Sequence, residues 1–189
     1  DRKRASRAQA LITVSEFSRR ELATRLNFPP ERLQVIANGV DASFHAPRTQ
    51  DLDDFRARRA LPPRYFAVIG NTKPFKNLSA LLPIADGLPA PLVLLAGRGA
   101  RRAVGFSEKV IELSPLSDEE LVSFYGGACA VLIPSRYEGF GLPALEAMAC
   151  GAPVIASTCG AHPEVVGSAG ILVSPDNALA WREACLRLF

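Results

Sequence analysis

A chain of 189 residues, 48% hydrophobic and 22% charged, can bury one full domain core and part of another, which excludes a disordered protein. Residues 1–64 carry 13 Lys/Arg against 8 Asp/Glu, a balance of +5, and residues 65–189 carry −2; no aromatics interleave the basic cluster Arg2, Lys3, Arg4 and Arg7, so it reads as a solvated face and nucleic acid is not an expected partner. No apolar run approaches a membrane span of roughly 18 residues, no signal-peptide core opens the chain, and Cys129, Cys150, Cys159 and Cys185 lack CxxC spacing, so a cytoplasmic protein with reduced thiols and no metal site is expected.

In chain order, periodicity predicts a strand over 11–14, a helix over 16–26 and a strand over 34–36. The stretch from Pro47 to Pro63 reads as a linker with one exposed helix, 51–60. A strand over 65–70 ends at Gly70, and Lys73 and Lys76 follow in the next turn, where a lysine can neutralise a diphosphate. A helix is predicted over 76–86. The strand 91–97 runs into Gly97-Arg98-Gly99, which begins like a dinucleotide fingerprint. Arg102 stands at the third glycine position and Gly105 is out of register, so a dehydrogenase is discounted. A strand over 109–112 precedes a helix over 118–128, whose start carries a capping box in Ser117 and Glu120. Strands at 129–133, 153–156 and 171–173 and helices at 143–150 and 176–188 complete the pattern. Alternating strands and helices predict an α/β chain with a Rossmann-like parallel sheet and helices on both faces.

The densest signal is Ser135 to Ser157, SRYEGFGLPALEAMACGAPVIAS. It reads strand, loop, helix, strand, with Pro143 in the first helical turn and Gly151 as the stop. Gly139 and Gly141 let the backbone turn sharply around Phe140. The amides of Phe140, Gly141 and Leu142 lie just ahead of the helix, where free donors and the helix dipole favour a phosphate. Glu146 lies one turn inside, beside the small residues Pro143, Ala147 and Cys150; Leu145, Met148 and Ala149 form the face expected to meet the core. A carboxylate in a small-walled groove suits vicinal hydroxyls such as those of a ribose. Glu138, out in the loop, suits a second hydroxylated group. The residues also admit a plainer reading, as dipole-favoured surface charges worth about 0.3–1 kcal/mol each.

Glu138-Gly139-Phe140-Gly141-Leu142-Pro143, followed by Leu145-Glu146-Ala147-Met148-Ala149 and Gly151, closely resembles the signature of the retaining GT-B glycosyltransferases of family 4. Leu11 to Leu22 is similar to the last strand and helix of that family's acceptor-side domain. Ile36-Ala37-Asn38-Gly39-Val40-Asp41 is similar to its hinge, with Ala37 in place of the usual proline. His162 to Gly167 resembles the short helical piece that follows the site. Many relatives carry an arginine after the glycine occupied here by Gly70; this chain has Asn71, and Lys73 is the candidate substitute.

The resemblance implies the C-terminal half of a GT-B fold at 65–189, a hinge and linker at 38–64, and the tail of an N-terminal domain at 1–37. It implies transfer of a sugar from a GDP- or UDP-linked donor to a hydroxyl acceptor, with retention. Glu138 would hold the donor sugar at the catalytic position and Glu146 the ribose. Gly139, Phe140, Gly141 and Leu142 with Lys76 would hold the diphosphate, Gly70 and Lys73 would flank it, and Arg98 is a further candidate contact. Ile111 to Leu113 falls where relatives meet the nucleobase. No cofactor or metal is expected, and the leaving phosphate would take the acceptor's proton. The Lys73-Pro74-Phe75-Lys76-Asn77 variant leans towards mannosyl transfer from GDP-mannose in polysaccharide assembly. A lipid-linked glycan acceptor, and with it peripheral contact with the inner face of the membrane through the rest of an N-terminal domain, belongs to the same expectation. So does donor binding without turnover by these 189 residues alone. A non-catalytic nucleotide-sugar binding module and a GT-B sugar-nucleotide epimerase are the alternatives; the epimerase would want further acid/base residues in the cleft.

Overall fold

Short runs of branched apolar residues become the strands of two parallel sheets in the computed structural model, which describes residue 5 and residues 7–189. Arg2, Lys3 and Arg4 of the basic cluster lie outside the described residues, and Arg7 is exposed. β1 (Leu11–Thr13) and β2 (Leu33–Val35) pair with each other across helix α1 (Glu16–Leu26). Helix α2 (Thr49–Arg59) then leads into a six-stranded sheet. Its strands are β3 (Phe66–Ile69), β4 (Leu92–Leu95), β5 (Ile111–Glu112), β6 (Ala130–Ile133), β7 (Val154–Ser157) and β8 (Ile171–Val173), in the order β5-β4-β3-β6-β7-β8. Every pairing is parallel. This is the doubly wound arrangement, whose order reverses between β3 and β6.

Period-2 alternation divides the sheet's side chains between two cores. Phe66, Val68, Leu92, Leu94, Leu132 and Ile155 point to one face, covered by Leu78, Leu81 and Ile84 and by Trp181 and Cys185 of α8 (Ala178–Leu188, numbered after the helices below). Ala67, Val93, Val131, Ile133, Val154 and Ala156 point to the other. There they meet Phe55 of α2, Phe124 and Tyr125 of α5 (Asp118–Gly126), and Ala144 and Ala147 of α6 (Leu142–Ala149). Helices therefore cover both faces, as the alternation predicts.

All eight predicted strands form, each within two residues of its expected bounds. The predicted helix over 76–86 does not form as one piece. Pro74–Lys76 and Leu78–Leu81 are single 3-10 turns, and only Leu82–Ala85, α3, is α-helical. Asn77 breaks the run: its φ of 53° is left-handed, and its side-chain amide donates to the carbonyls of Pro134 and Pro175. Asparagine tolerates that conformation better than most residues. Two short helices went unpredicted by periodicity, being too brief to show one: α4 (Ala100–Val104), bracketed by Gly99 and Gly105, and α7 (His162–Val166), which the resemblance did anticipate.

A second correction concerns α6. Its fully buried side chains are Ala144, Ala147 and Cys150, while Leu145, Met148 and Ala149 are half-buried. The small residues let the helix axis approach β6 and β7 closely, so the core face is the small one. Gly151 ends the helix with φ 77° and Ala152 N–H bonds back to Ala147 O at 3.0 Å, as the stop signal predicts.

The capping box of α5 is formed. Ser117 Oγ accepts from Glu120 N–H at 3.3 Å and Glu120 returns a bond to Ser117 N–H at 3.2 Å, while Arg59 of α2 grips the same carboxylate. Ser117→Ala is expected to cost about 1 kcal/mol, a fall of about 2–4 °C in melting temperature for a chain of this size, read by thermal denaturation. No helix among the described residues is long and apolar enough to cross a membrane. All four cysteines are free, and burial pushes the Cys150 thiol up to about 11, which keeps it unreactive at neutral pH.

Candidate functional site

The reversal between β3 and β6 parts the loops leaving their carboxyl ends and opens a crevice there. Gly70 ends β3, donating to Leu95 O at 3.1 Å; a Cβ on it would lie 3.2 Å from Leu78 Cδ2, so the turn packs tightly on the chain that follows. Six residues on, Lys76 Nζ meets Glu138 Oε1 of the β6 loop at 2.6 Å, with 16% and 13% of the two side chains exposed. This pair spans the crevice. Arg136 N–H donates to Phe75 O at 2.7 Å, and with Asn77 it locks the lysine turn against the β6 loop. Lys73 is exposed, its ammonium 5.9 Å from the Phe75 ring centre on which Lys76 also lies at 5.8 Å.

The loop then passes through Gly139, Phe140 and Gly141 into α6. Gly141 sits at φ 100°, and the amides of Phe140, Gly141 and Leu142 donate to no group among the described residues. Three unpaired donors at a helix start form an anion-binding edge. Beneath them lies His162, fully buried; a Cβ on Gly141 would come within 3.1 Å of its Cδ2. Ser157 Oγ spends its proton on Ser135 O, so His162 Nδ1 donates to Ser157 Oγ at 3.0 Å and Nε2 is left as an acceptor without a partner among the described residues. Burial pushes its pKa down and Lys76 adds to that, against the opposing pull of Glu138, so the ring is neutral at pH 7. Sequence reasoning gave His162 no role; its place inside the His162-Pro163-Glu164 segment was the available signal.

Glu146 occupies the next turn of α6. Its Oε2 accepts from Tyr125 OH at 2.9 Å and Oε1 has no partner among the described residues. Burial raises its pKa first, with Asp118 adding to the rise. Burial likewise pushes the Tyr125 hydroxyl far up, which keeps it a donor. Among the described residues no hydrogen bond joins Glu146 to the Lys76–Glu138 pair.

Arg98 stands exposed at the end of β4, with no hydrogen-bond or ion-pair partner among the described residues. The amides around it are committed: Glu112 accepts from Gly99 N–H at 2.6 Å and Arg101 N–H at 2.7 Å, which holds its carboxyl below the usual range. A cavity of about 460 Å³ between residues 43–48, α2 and α5 is lined by Asp51, Asp54, Asp118, Glu119 and Glu120 against Arg48 and Arg58, an acidic balance that disfavours a diphosphate, and it contains none of the expected site residues. A smaller one, about 210 Å³, includes Asn71 and Lys73 beside the β3 turn.

Comparison with known proteins shows the family of the chain. Residues 63–189 match the family described as glycosyl transferases group 1, and residues 1–44 match glycosyltransferase family 4. The chain is 36% identical over 186 residues to the O-antigen chain mannosyltransferase B of Escherichia coli, covering 90% of this chain and 49% of that protein. It is 37% identical over 191 residues to a D-inositol 3-phosphate glycosyltransferase of Mycobacterium sp. (strain JLS), covering 92% and 43%. The chain thus spans about half the length of the curated relatives it matches. Among solved structures, sucrose-phosphate synthase from Thermosynechococcus elongatus superposes with a TM-score of 0.82 at 26% identity, over 99% of this chain and 50% of that one. Anabaena HepE in complex with UDP and glucose superposes with a TM-score of 0.80 at 22% identity, over 95% and 53%, a likeness of fold.

Proposed function

The chain belongs to the group 1 glycosyltransferases, and from that premise we propose that its β3–β6 crevice binds a nucleotide-diphosphate sugar whose sugar the protein transfers, with retention, to a hydroxyl acceptor. The observation that carries this reading is the Lys76–Glu138 pair, together with three unpaired loop amides at the start of α6. A diphosphate arriving at those amides draws Lys76 towards it, because two phosphate charges outbid one carboxylate. Glu138, released, turns its oxygens to the donor sugar's hydroxyls. Glu146 keeps Oε2 on Tyr125 and offers Oε1 to the ribose. Lys73 is the candidate to take up the charge that an arginine at Asn71 would meet.

The leaving diphosphate develops charge as the glycosidic bond breaks, and donors fixed before the reaction stabilise it without reorganising. Amides and lysine supply that stabilisation in this reading, with no metal called for. The departing phosphate oxygen takes the acceptor's proton on the same face, which asks no protein base of the crevice. HepE's complexes with UDP and with UDP-glucose support a nucleotide-sugar ligand, and the E. coli relative, an O-antigen chain mannosyltransferase, supports mannosyl transfer; GDP-mannose as the donor is part of the proposal.

Calorimetric titration of the chain with GDP, UDP and ADP tests the reading. Saturable binding of one of them is expected; binding of none by a chain shown to be folded overturns it. Lys76→Ala should cost about tenfold in affinity for the diphosphate, the order of one charged hydrogen bond, and leave the affinity for the bare nucleoside alone.

A further inference from the structure

We propose that Ser15, Ser18 and Glu164 are positioning residues: through them the start of α1, outside the donor sheet, sets the loop that presents Glu138. The inference rests on the donor-site reading above and assigns α1 a part in sugar recognition. Ser15 caps α1, accepting from Ser18 N–H at 3.0 Å, and donates its own proton to Gly139 O at 2.5 Å. Ser18 Oγ donates to the same carbonyl at 2.9 Å. Two hydroxyls therefore fill both lone pairs of the peptide immediately after Glu138. The peptide of Glu138 itself is held from the other side, its carbonyl accepting from Ala161 N–H at 3.0 Å.

Glu164, three residues beyond Ala161 in α7, closes the circuit. Its two oxygens accept from Glu16 N–H and Phe17 N–H, each at 2.8 Å, so one carboxylate satisfies two free amides and the positive end of α1. Phe17 packs edge-on against Tyr137, the residue before Glu138, with ring centres 5.2 Å apart. The loop from Tyr137 to Gly139 is thus clamped between α1 and α7, and its conformation depends on α1 being docked. Undocking would return Gly139 O to solvent and free Glu138 to turn. Nothing in the clamp touches Glu146, but the clamped carbonyl of Gly139 shares a planar peptide with the Phe140 N–H. The clamp therefore sets the first anion-binding amide together with the aim of Glu138, and the nucleotide sugar, which meets both, loses more than the nucleoside diphosphate, which meets the amide alone.

The test compares the chain with two double variants, S15A/S18A and S15D/S18A, titrated with GDP and GDP-mannose, and with UDP and UDP-glucose. Aspartate at position 15 still caps α1 but, as an acceptor, cannot donate to Gly139 O. Affinity for the nucleotide sugar is expected to fall about tenfold more than affinity for its nucleoside diphosphate in both variants, on the scale of one or two hydrogen bonds, and S15T/S18T, which keeps both hydroxyls, should restore it. An equal fall for both ligands would show that the clamp does not reach the sugar, and no fall or recovery in S15D/S18A would mean that the serines act only as caps; each result would overturn the proposal. If the parent chain binds no nucleotide, the donor-site reading fails by itself. The clamp is then decided by hydrogen exchange at Ala161, whose N–H is bonded to Glu138 O: exchange faster by about tenfold in S15D/S18A supports it, and unchanged exchange overturns it.

Discussion

Glu146→Ala is expected to weaken nucleoside diphosphate binding by about a hundredfold or more, the largest loss of any single side chain in the crevice. A carboxylate that accepts from two ribose hydroxyls makes two charge-assisted hydrogen bonds, each worth about 1.5–3 kcal/mol, and every 1.4 kcal/mol is about tenfold. The same residue is a burden to the unliganded fold. Burial raises its pKa above the unfolded value, so the native state binds protons more readily than the unfolded chain does. The stability it contributes is present below the unfolded pKa and is lost as pH rises through the raised folded value. Glu146→Gln, which can still accept from Tyr125, should therefore melt higher than the parent at neutral pH, with the gain vanishing in acid, while nucleotide binding is lost. A variant that melts lower at pH 7 and binds as before would remove Glu146 from the site. Sites commonly trade stability for function in this way.

The parts of this site written in local sequence were legible. The loop glycines, Pro143, the helix stop at Gly151 and the spacing of Glu138 and Glu146 are contained within 14 residues, and Lys76 follows its strand directly. The strand pattern sufficed for a parallel sheet, because strands buried on both faces read as unbroken apolar runs. What failed was set by tertiary contact. Asn77 reads as an ordinary helix-edge residue until Pro134 and Pro175 supply the carbonyls that hold it left-handed. The core face of α6 was misjudged because size decided it: alanines admit close helix–sheet contact, and the larger Leu145 and Met148 were turned to the flanks. Ser15 and Ser18 meet Gly139 across 124 and 121 residues, and Glu164 meets α1 across 148 and 147, separations no periodicity can register. His162 is polar, yet lies at the bottom of the site because Ser157 satisfies one nitrogen there.

Gly160→Ala should strike both the fold and the crevice, and Gly170→Ala separates the two effects. Gly160 sits at φ +64°, and a Cβ on it would lie 2.6 Å from both the N and the O of Glu138. The left-handed conformation costs a non-glycine residue about 1–2 kcal/mol, and overpacking adds about 1–3 kcal/mol. A fall in melting temperature of roughly 5–15 °C follows for a chain of this size. The contacted atoms are backbone, so the clash is relieved by displacing the loop itself, against the bonds from Ala161 and the two serines. Glu138 then loses its aim. At Gly170 a Cβ would meet Val154 O and Val166 Cγ1, each at 2.7 Å, also a severe contact but at the β7–β8 side of the sheet. Gly170→Ala should therefore lower the melting temperature yet leave nucleotide-sugar affinity intact when titrated where the protein is folded; Gly160→Ala, under the same conditions, should lose it. Equal retention of affinity by both variants would show that Glu138 can be displaced without consequence, and the sugar would have to be held elsewhere.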